Sequence, residues 1–265
     1  MKHDMRAQAS AVIIACLGLA LPSACQTHER AVHVFVALAD NEHQGIIPAP
    51  AKLANGKDPA GNLYWGAMFG IKTYFKKSEE WKLLWSGPGS KPAIMERCIF
   101  KHHQSDVYLV ADAYEGSMIR EAVTDFLSAA AGLGGESVSV KSKARDSSIP
   151  TRGSADLVVY VGHDAFMDFQ VAPIAGQEDG RIREAIVLAC ASKSYFSPYL
   201  RAAGVDPLLW TTGLMAPEAY SLKAALDGWV RGEDGEAIRQ RSAQAYSKYQ
   251  RCSLRAAQNL FATGW

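Results

Sequence analysis

Apolar residues along this chain fall into two patterns: short, nearly unbroken runs and longer stretches with helical spacing. Val32-His-Val-Phe-Val-Ala-Leu38 is the first run, β-branched and aromatic-rich, and it stops at the polar cluster Asp40-Asn-Glu-His-Gln44. Val107–Ala111, Leu157–Val161, Ala185–Ala189 and Pro207–Thr212 repeat the type and predict further core strands. Tyr64, Ala67, Met68, Ile71 and Phe75 recur at helical spacing after the first strand, and Ile119, Val123, Phe126, Leu127 and Ala130 do so after the second. Pro217 opens a helix with Ala219, Leu222, Leu226 and Trp229 on one face, and a last helix from about Glu236 carries Ala245, Tyr249, Cys252, Ala256 and Leu260. Trp81–Trp85 and Met95–Phe100 flank Gly87-Pro-Gly89 and predict a hairpin extension with no need to belong to the main sheet. Ser137–Arg152 is polar, serine-rich and weakly patterned. Apolar strands alternating with amphipathic helices predict an α/β fold, a three-layer α/β/α sandwich about a mostly parallel sheet.

The amino terminus is of a different kind. Lys2 and Arg6 precede an uncharged stretch whose middle, Ala11–Leu21, is apolar and leads to Pro22-Ser-Ala-Cys25. This predicts an export signal over residues 1–24, too short for a permanent membrane span, and a periplasmic or secreted protein. Two products fit: cleavage near Ala24–Gln26, or lipid attachment at Cys25, for which Leu21 stands one place too far away. Residues 25–265 then form a single domain. Of 28 Lys plus Arg, Lys2 and Arg6 leave with the signal, and of 27 Asp plus Glu, Asp4 does, so the remainder is electrically balanced. That speaks against a nucleic-acid partner. Lys141, Lys143, Arg145 and Arg152, the compact basic cluster, read as a solvated loop.

Two of the runs end on residues that can do chemistry. Leu157–Val161 passes through Gly162 into His163, and Ala185–Ala189 passes directly into Cys190. On neighbouring parallel strands both would stand at the carboxyl edge, where open α/β sheets place their sites. The connector 162–184 is lean for a crossover helix with its loops. A cysteine attacks as thiolate, so Cys190 as nucleophile needs His163 as general base and later as acid to the leaving amine. A helix starting at Ala191-Ser192-Lys193 would bring N–H groups beside the sulfur. Gly162 permits a sharp turn, and Asp40 and Asn41, ending the first strand, can orient the imidazole or bind substrate. Asp164, which alternates away from the imidazole, and Ser192 join the substrate-side residues, with Tyr195 and Trp210 as aromatic walls beside Phe196 and Met215. The structural alternative is that Cys190 is a small buried hydrophobe and His163 a loop residue.

Beyond Cys25 the cysteines are Cys98, Cys190 and Cys252, an odd number. A Cys98–Cys252 bridge would leave Cys190 free, although spacing does not fix pairing. No metal is expected: His43, His102, His103 and Asp112 lack zinc-site spacing, and consecutive histidines on a strand face opposite ways. No cofactor is expected either, since Gly132-Leu-Gly-Gly135 follows a helix and lacks the lysine of a phosphate loop.

Val159-Tyr-Val-Gly-His163 and Val187-Leu-Ala-Cys-Ala-Ser192 give the order strand–His, strand–Ala-Cys-x-Ser, which resembles the caspase and gingipain superfamily of cysteine peptidases. The resemblance implies a caspase-like sheet, a His163/Cys190 dyad, and hydrolysis of a peptide or protein substrate after a side chain held in a deep pocket. The chain departs from the family where Asp164 replaces the usual glycine and where histidine and cysteine stand closer than the roughly 50 residues of caspases. The alternative function is a non-catalytic exported protein on the same scaffold, binding a peptide, glycan or partner at its strand-end crevice. Thiol exchange is disfavoured, because no second cysteine lies within a few residues of Cys190. Oligomeric state is left open.

Overall fold

In a computed structural model the described residues are 29–140 and 146–265. The proposed signal, the Cys25 lipid site, and Lys141, Lys143 and Arg145 lie outside them. Ten strands form along the described chain: β1 (Arg30–Ala37), β2 (Trp81–Gly87), β3 (Ile94–His102), β4 (Val107–Tyr114), β5 (Glu136–Val140), β6 (Ser147–Thr151), β7 (Leu157–Val161), β8 (Glu184–Leu188), β9 (Asp206–Thr211) and β10 (Phe261–Ala262). The helices are α1 (Ile71–Lys76), α2 (Ile119–Ala130), α3 (Ser192–Ala203), α4 (Ala219–Val230), α5 (Gly235–Gln250) and α6 (Leu254–Leu260).

Eight strands make one mixed sheet in the order β10-β9-β8-β7-β1-β4-β3-β2. The run from β9 through β8, β7 and β1 to β4 is parallel, while β3, β2 and β10 add antiparallel edges. Alternation along β1 sorts the two faces: Val32, Val34 and Val36 enter one core, and Phe35 and Ala37 the other. The first core is covered by α1, α4, α5 and α6, the second by α2 and α3, so the arrangement is a three-layer α/β/α sandwich with a mixed, mostly parallel sheet. No helix among the described residues is long and apolar enough to cross a membrane.

Three sequence expectations are corrected. The Trp81–Phe100 hairpin is part of the main sheet, because β3 pairs with β4 and extends it. The helix expected around Tyr64–Phe75 is confined to α1, with turns before it. A Cβ on Gly66 would collide with the carbonyl oxygens of Pro59 and Ala60, and buried Asn62 fixes the turns to the end of β1 by bonds to Ala39 N and O of 3.1 and 2.9 Å. The last helix is two, since Arg251 adopts a left-handed conformation (φ 53°) and Ser253 caps α6 through Ala256 N. The weakly patterned stretch folds as the β5–β6 hairpin, whose Val138, Val140 and Ile149 pack on Ile99, Tyr108 and Val110.

Candidate functional site

β7 and β8 are parallel neighbours, in register from Leu157 opposite Glu184 to Val161 opposite Leu188. The short connector suffices because it carries no crossover helix; it has one 3-10 turn (Ala165–Met167) and lays Phe166, Phe169, Val171 and Ile174 over the second core. Two residues beyond the last pair on each strand stand His163 and Cys190. Val159, Val161, Ile186 and Leu188 all face the first core, so His163 and Cys190 continue the same parity toward that face.

His163 and Cys190 line one cleft of about 250 Å³ together with Gly162, Tyr64, Met167, Met215 and flanking residues of the 45–47 and 214–217 segments. The walls are mostly aliphatic. Ile47 and Leu214 are 78% and 63% exposed at this cleft, and Met167 is exposed as well.

The imidazole is held from outside the predicted set. His163 Nε2 bonds Asp168 Oδ2 at 2.8 Å, and with a carboxylate as partner Nε2 is the donor, which leaves the lone pair on Nδ1. The same Asp168 oxygen accepts from Gly45 N at 2.9 Å, and a Cβ on Gly45 would collide with Asp168 Oδ1. Asp168 thereby ties the cleft-wall loop to the imidazole. It follows the 3-10 turn that Asp164 caps through Phe166 N at 3.0 Å.

The sulfur sits in a turn. Met215 N donates to Cys190 Sγ at 3.4 Å, and the thiol lies 3.6 Å from Met215 O. Burial pushes the Cys190 thiol up, the Met215 contact pulls it down, and the charge of Asp164 raises it again. The sulfur's own contacts are with Met215; no hydrogen bond joins His163 to Cys190 among the described residues. Ala191 takes a left-handed conformation (φ 48°, ψ 30°) between Cys190 and α3, a conformation that costs a residue with a Cβ.

The other predicted residues are distributed as follows. Gly162 lines the cleft, at φ 153° and close against Ala37. Asp164 is fully buried; burial pushes its carboxyl up to about 7, opposed by the Phe166 bond and reinforced by Asp168, and its Oδ2 has no partner among the described residues. Asp40 and Asn41 do not reach the imidazole. They line a separate polar cavity of about 310 Å³, where Asp40 Oδ2 pairs with His43 Nδ1 at 2.9 Å and Asn41 bonds Ala49 N and O. Ser192 is buried, donating to Val187 O, and Trp210 is buried in the second core against Trp265, so neither is a cleft wall. Tyr195 is partly exposed on α3 and outside the cleft lining. At the start of α3 the amides of Ala191 and Ser192 are already occupied, by Gly213 O and Thr211 Oγ1; the donor found at the sulfur is Met215 N. Cys98, Cys190 and Cys252 are all free thiols, which removes the Cys98–Cys252 bridge: Cys98 is buried on β3, with its thiol 3.6 Å from Ser86 Oγ.

Among the described residues no group of three or more His, Cys, Asp or Glu side chains could hold a metal ion. No family model matches the chain, and no curated protein or solved structure matches it either.

Proposed function

We propose that the cleft at the ends of β7 and β8 binds a peptide-like ligand by an apolar or aromatic side chain, on a caspase-like scaffold, with Cys190 and His163 at its base. The observation that carries this reading is the aliphatic wall: Ile47, Leu214 and Met167 are large apolar side chains exposed around one concave site. A resting thiol that burial keeps protonated, with its hydrogen bonds given to Met215, suits binding without turnover. The test is protection of Cys190 from a disulfide reagent such as dithiodipyridine. N-acetyl-phenylalaninamide and N-acetyl-leucinamide protect saturably, whereas N-acetyl-aspartamide and N-acetyl-lysinamide do not. Equal protection by all four, or by none, removes the proposal.

A second reading, cysteine hydrolysis of a peptide bond, draws on one specific observation. Asp168 takes the Nε2 hydrogen of His163, which leaves the lone pair on Nδ1, and His163 and Cys190 line the same cleft. On that reading a fluorogenic peptide with an apolar residue before its scissile bond is turned over, and Cys190→Ala and His163→Ala each abolish turnover. Release unaffected by either substitution removes it.

A further inference from the structure

Tyr64 is the cleft residue whose chemistry nothing in the protein uses. Its ring is packed in the first core and the residue is only 7% exposed, yet it lines the cleft. Its hydroxyl has no hydrogen-bond partner among the described residues. Cys190 lines the same cleft, and its charge and that of Glu218 act on the hydroxyl. Burial and these two neighbours all oppose ionisation, so the group there is a neutral phenol with a proton to donate. The hydroxyl oxygen is not among the fully buried unpaired atoms, so it opens onto the cleft, and its partner there is water or the ligand that displaces that water.

We infer that Tyr64 is the polar anchor of the cleft, donating its hydroxyl proton to a carbonyl oxygen of the bound ligand while the aliphatic wall takes the adjoining side chain. The inference rests on the apolar-cleft reading and narrows it: the ligand class is an acyl or amide compound bearing an apolar side chain, not a bare hydrocarbon. The walls supply area without direction. Ile46, Ile47, Leu63, Leu214 and Met215 cannot tell a hydrocarbon from an amide, whereas one buried donor can. Two other N–H donors of the cleft residues are committed, Met215 N to Sγ and His163 Nε2 to Asp168.

The test is Tyr64→Phe, which keeps the ring in the core and removes one oxygen. Protection of Cys190 from dithiodipyridine is titrated with N-acetyl-phenylalaninamide and with ethylbenzene, which has the ring but no acceptor. Loss of one hydrogen bond weakens amide protection about five- to tenfold and leaves ethylbenzene protection unchanged or slightly better. Thermal unfolding of the variant establishes that its fold is retained. Unchanged amide protection overturns the Tyr64 assignment while the cleft reading stands, and an equal loss for both ligands overturns it as a packing effect. If the unsubstituted protein is protected by neither ligand, the cleft reading itself fails and takes the assignment with it.

Discussion

Asp164→Asn isolates the least comfortable charge near the site. The Asp164 carboxyl is fully buried, keeps one bond to Phe166 N and leaves Oδ2 without a partner among the described residues, and its pKa rises from 3.8 to about 7. Because the folded value lies above the unfolded one, its stabilising contribution is complete below 3.8, falls as pH rises, and is lost above 7. At 1.36 kcal/mol per unit the whole swing is at most about 4 kcal/mol. Asparagine can keep the cap to Phe166 N with its amide oxygen and does not titrate. In urea unfolding the variant therefore gains on the unsubstituted protein by under about 1 kcal/mol at pH 4 and by about 4 kcal/mol at pH 8, above any constant offset, and the gap levels off beyond. Taking the difference cancels the titrating groups that Asp164 does not act on; Cys190 and Tyr160, which it does act on, have raised pKa values. The same substitution removes a charge that holds the Cys190 thiol up, so dithiodipyridine reacts faster with the variant at pH 8. A stability gap that is flat, or that closes between pH 4 and pH 8, refutes the placement of an ionisable carboxyl in that environment.

Other perturbations test the supports of the site and the sheet. Gly45→Ala sets a methyl against Asp168 Oδ1 and breaks the clasp, costing about 1–3 kcal/mol in urea unfolding, and it shifts the His163 imidazole resonances in NMR spectra. Unshifted resonances would mean that loop and imidazole are independent. Asp112→Asn leaves buried Arg97 without the carboxylate that takes two of its N–H groups at 2.6 and 2.7 Å and also pairs with His33; a loss of about 3–5 kcal/mol is expected by denaturant titration. Ala191→Gly relieves a left-handed alanine and raises stability by about 1 kcal/mol, read as a rise of a few degrees in Tm. An unchanged or lower Tm would show that the turn carries no strain.

What was legible in the sequence is what depends on period alone. Strands β1, β4, β7, β8 and β9 are near-continuous apolar runs because they are buried on both faces, and such runs read the same in any context. The antiparallel edge was harder, since β2 has a half-exposed pattern that fits a separate hairpin as well as a sheet margin. Helix boundaries failed where side-chain packing overruled spacing: Tyr64 and Ala67 keep a helical interval, but Gly66 lies against two carbonyls and Asn62 holds the turns to β1. The site divides in the same way. His163 and Cys190 follow from strand ends, whereas Asp168 lies in a connector with no period, Gly45 in a proline-rich loop, and Tyr64 on a supposed core face. Gly45 and Asp168 meet only through a tertiary contact between segments more than a hundred residues apart. The nearest available signal was Asp168 itself, an acidic residue five places after a strand-end histidine in an otherwise apolar stretch. Asp40 and Asn41 show that a shared edge is not proximity: β1 ends beside β7, but its own loop takes up both side chains.

The binding and hydrolytic readings share one backbone and differ in side-chain placement. Val161 and Leu188 are paired across adjacent parallel strands, about 4.8 Å apart, and His163 and Cys190 each lie two residues further along. Sliding β7 against β8 would turn apolar side chains of both strands toward the wrong layer, so register is not a free variable. What is free is smaller. The hydrolytic reading requires the thiol to exchange its 3.6 Å contact with Met215 O for the imidazole, whose Nε2 is held by Asp168. The energetic obstacle is then ionisation, with burial and Asp164 opposing the thiolate and Met215 N favouring it. A ligand that fills the apolar cleft removes more water from the sulfur and raises that obstacle unless it brings an N–H donor to the thiolate. For this reason a bound hydrocarbon and a bound amide are expected to differ at Cys190, even where they occupy the same aliphatic wall.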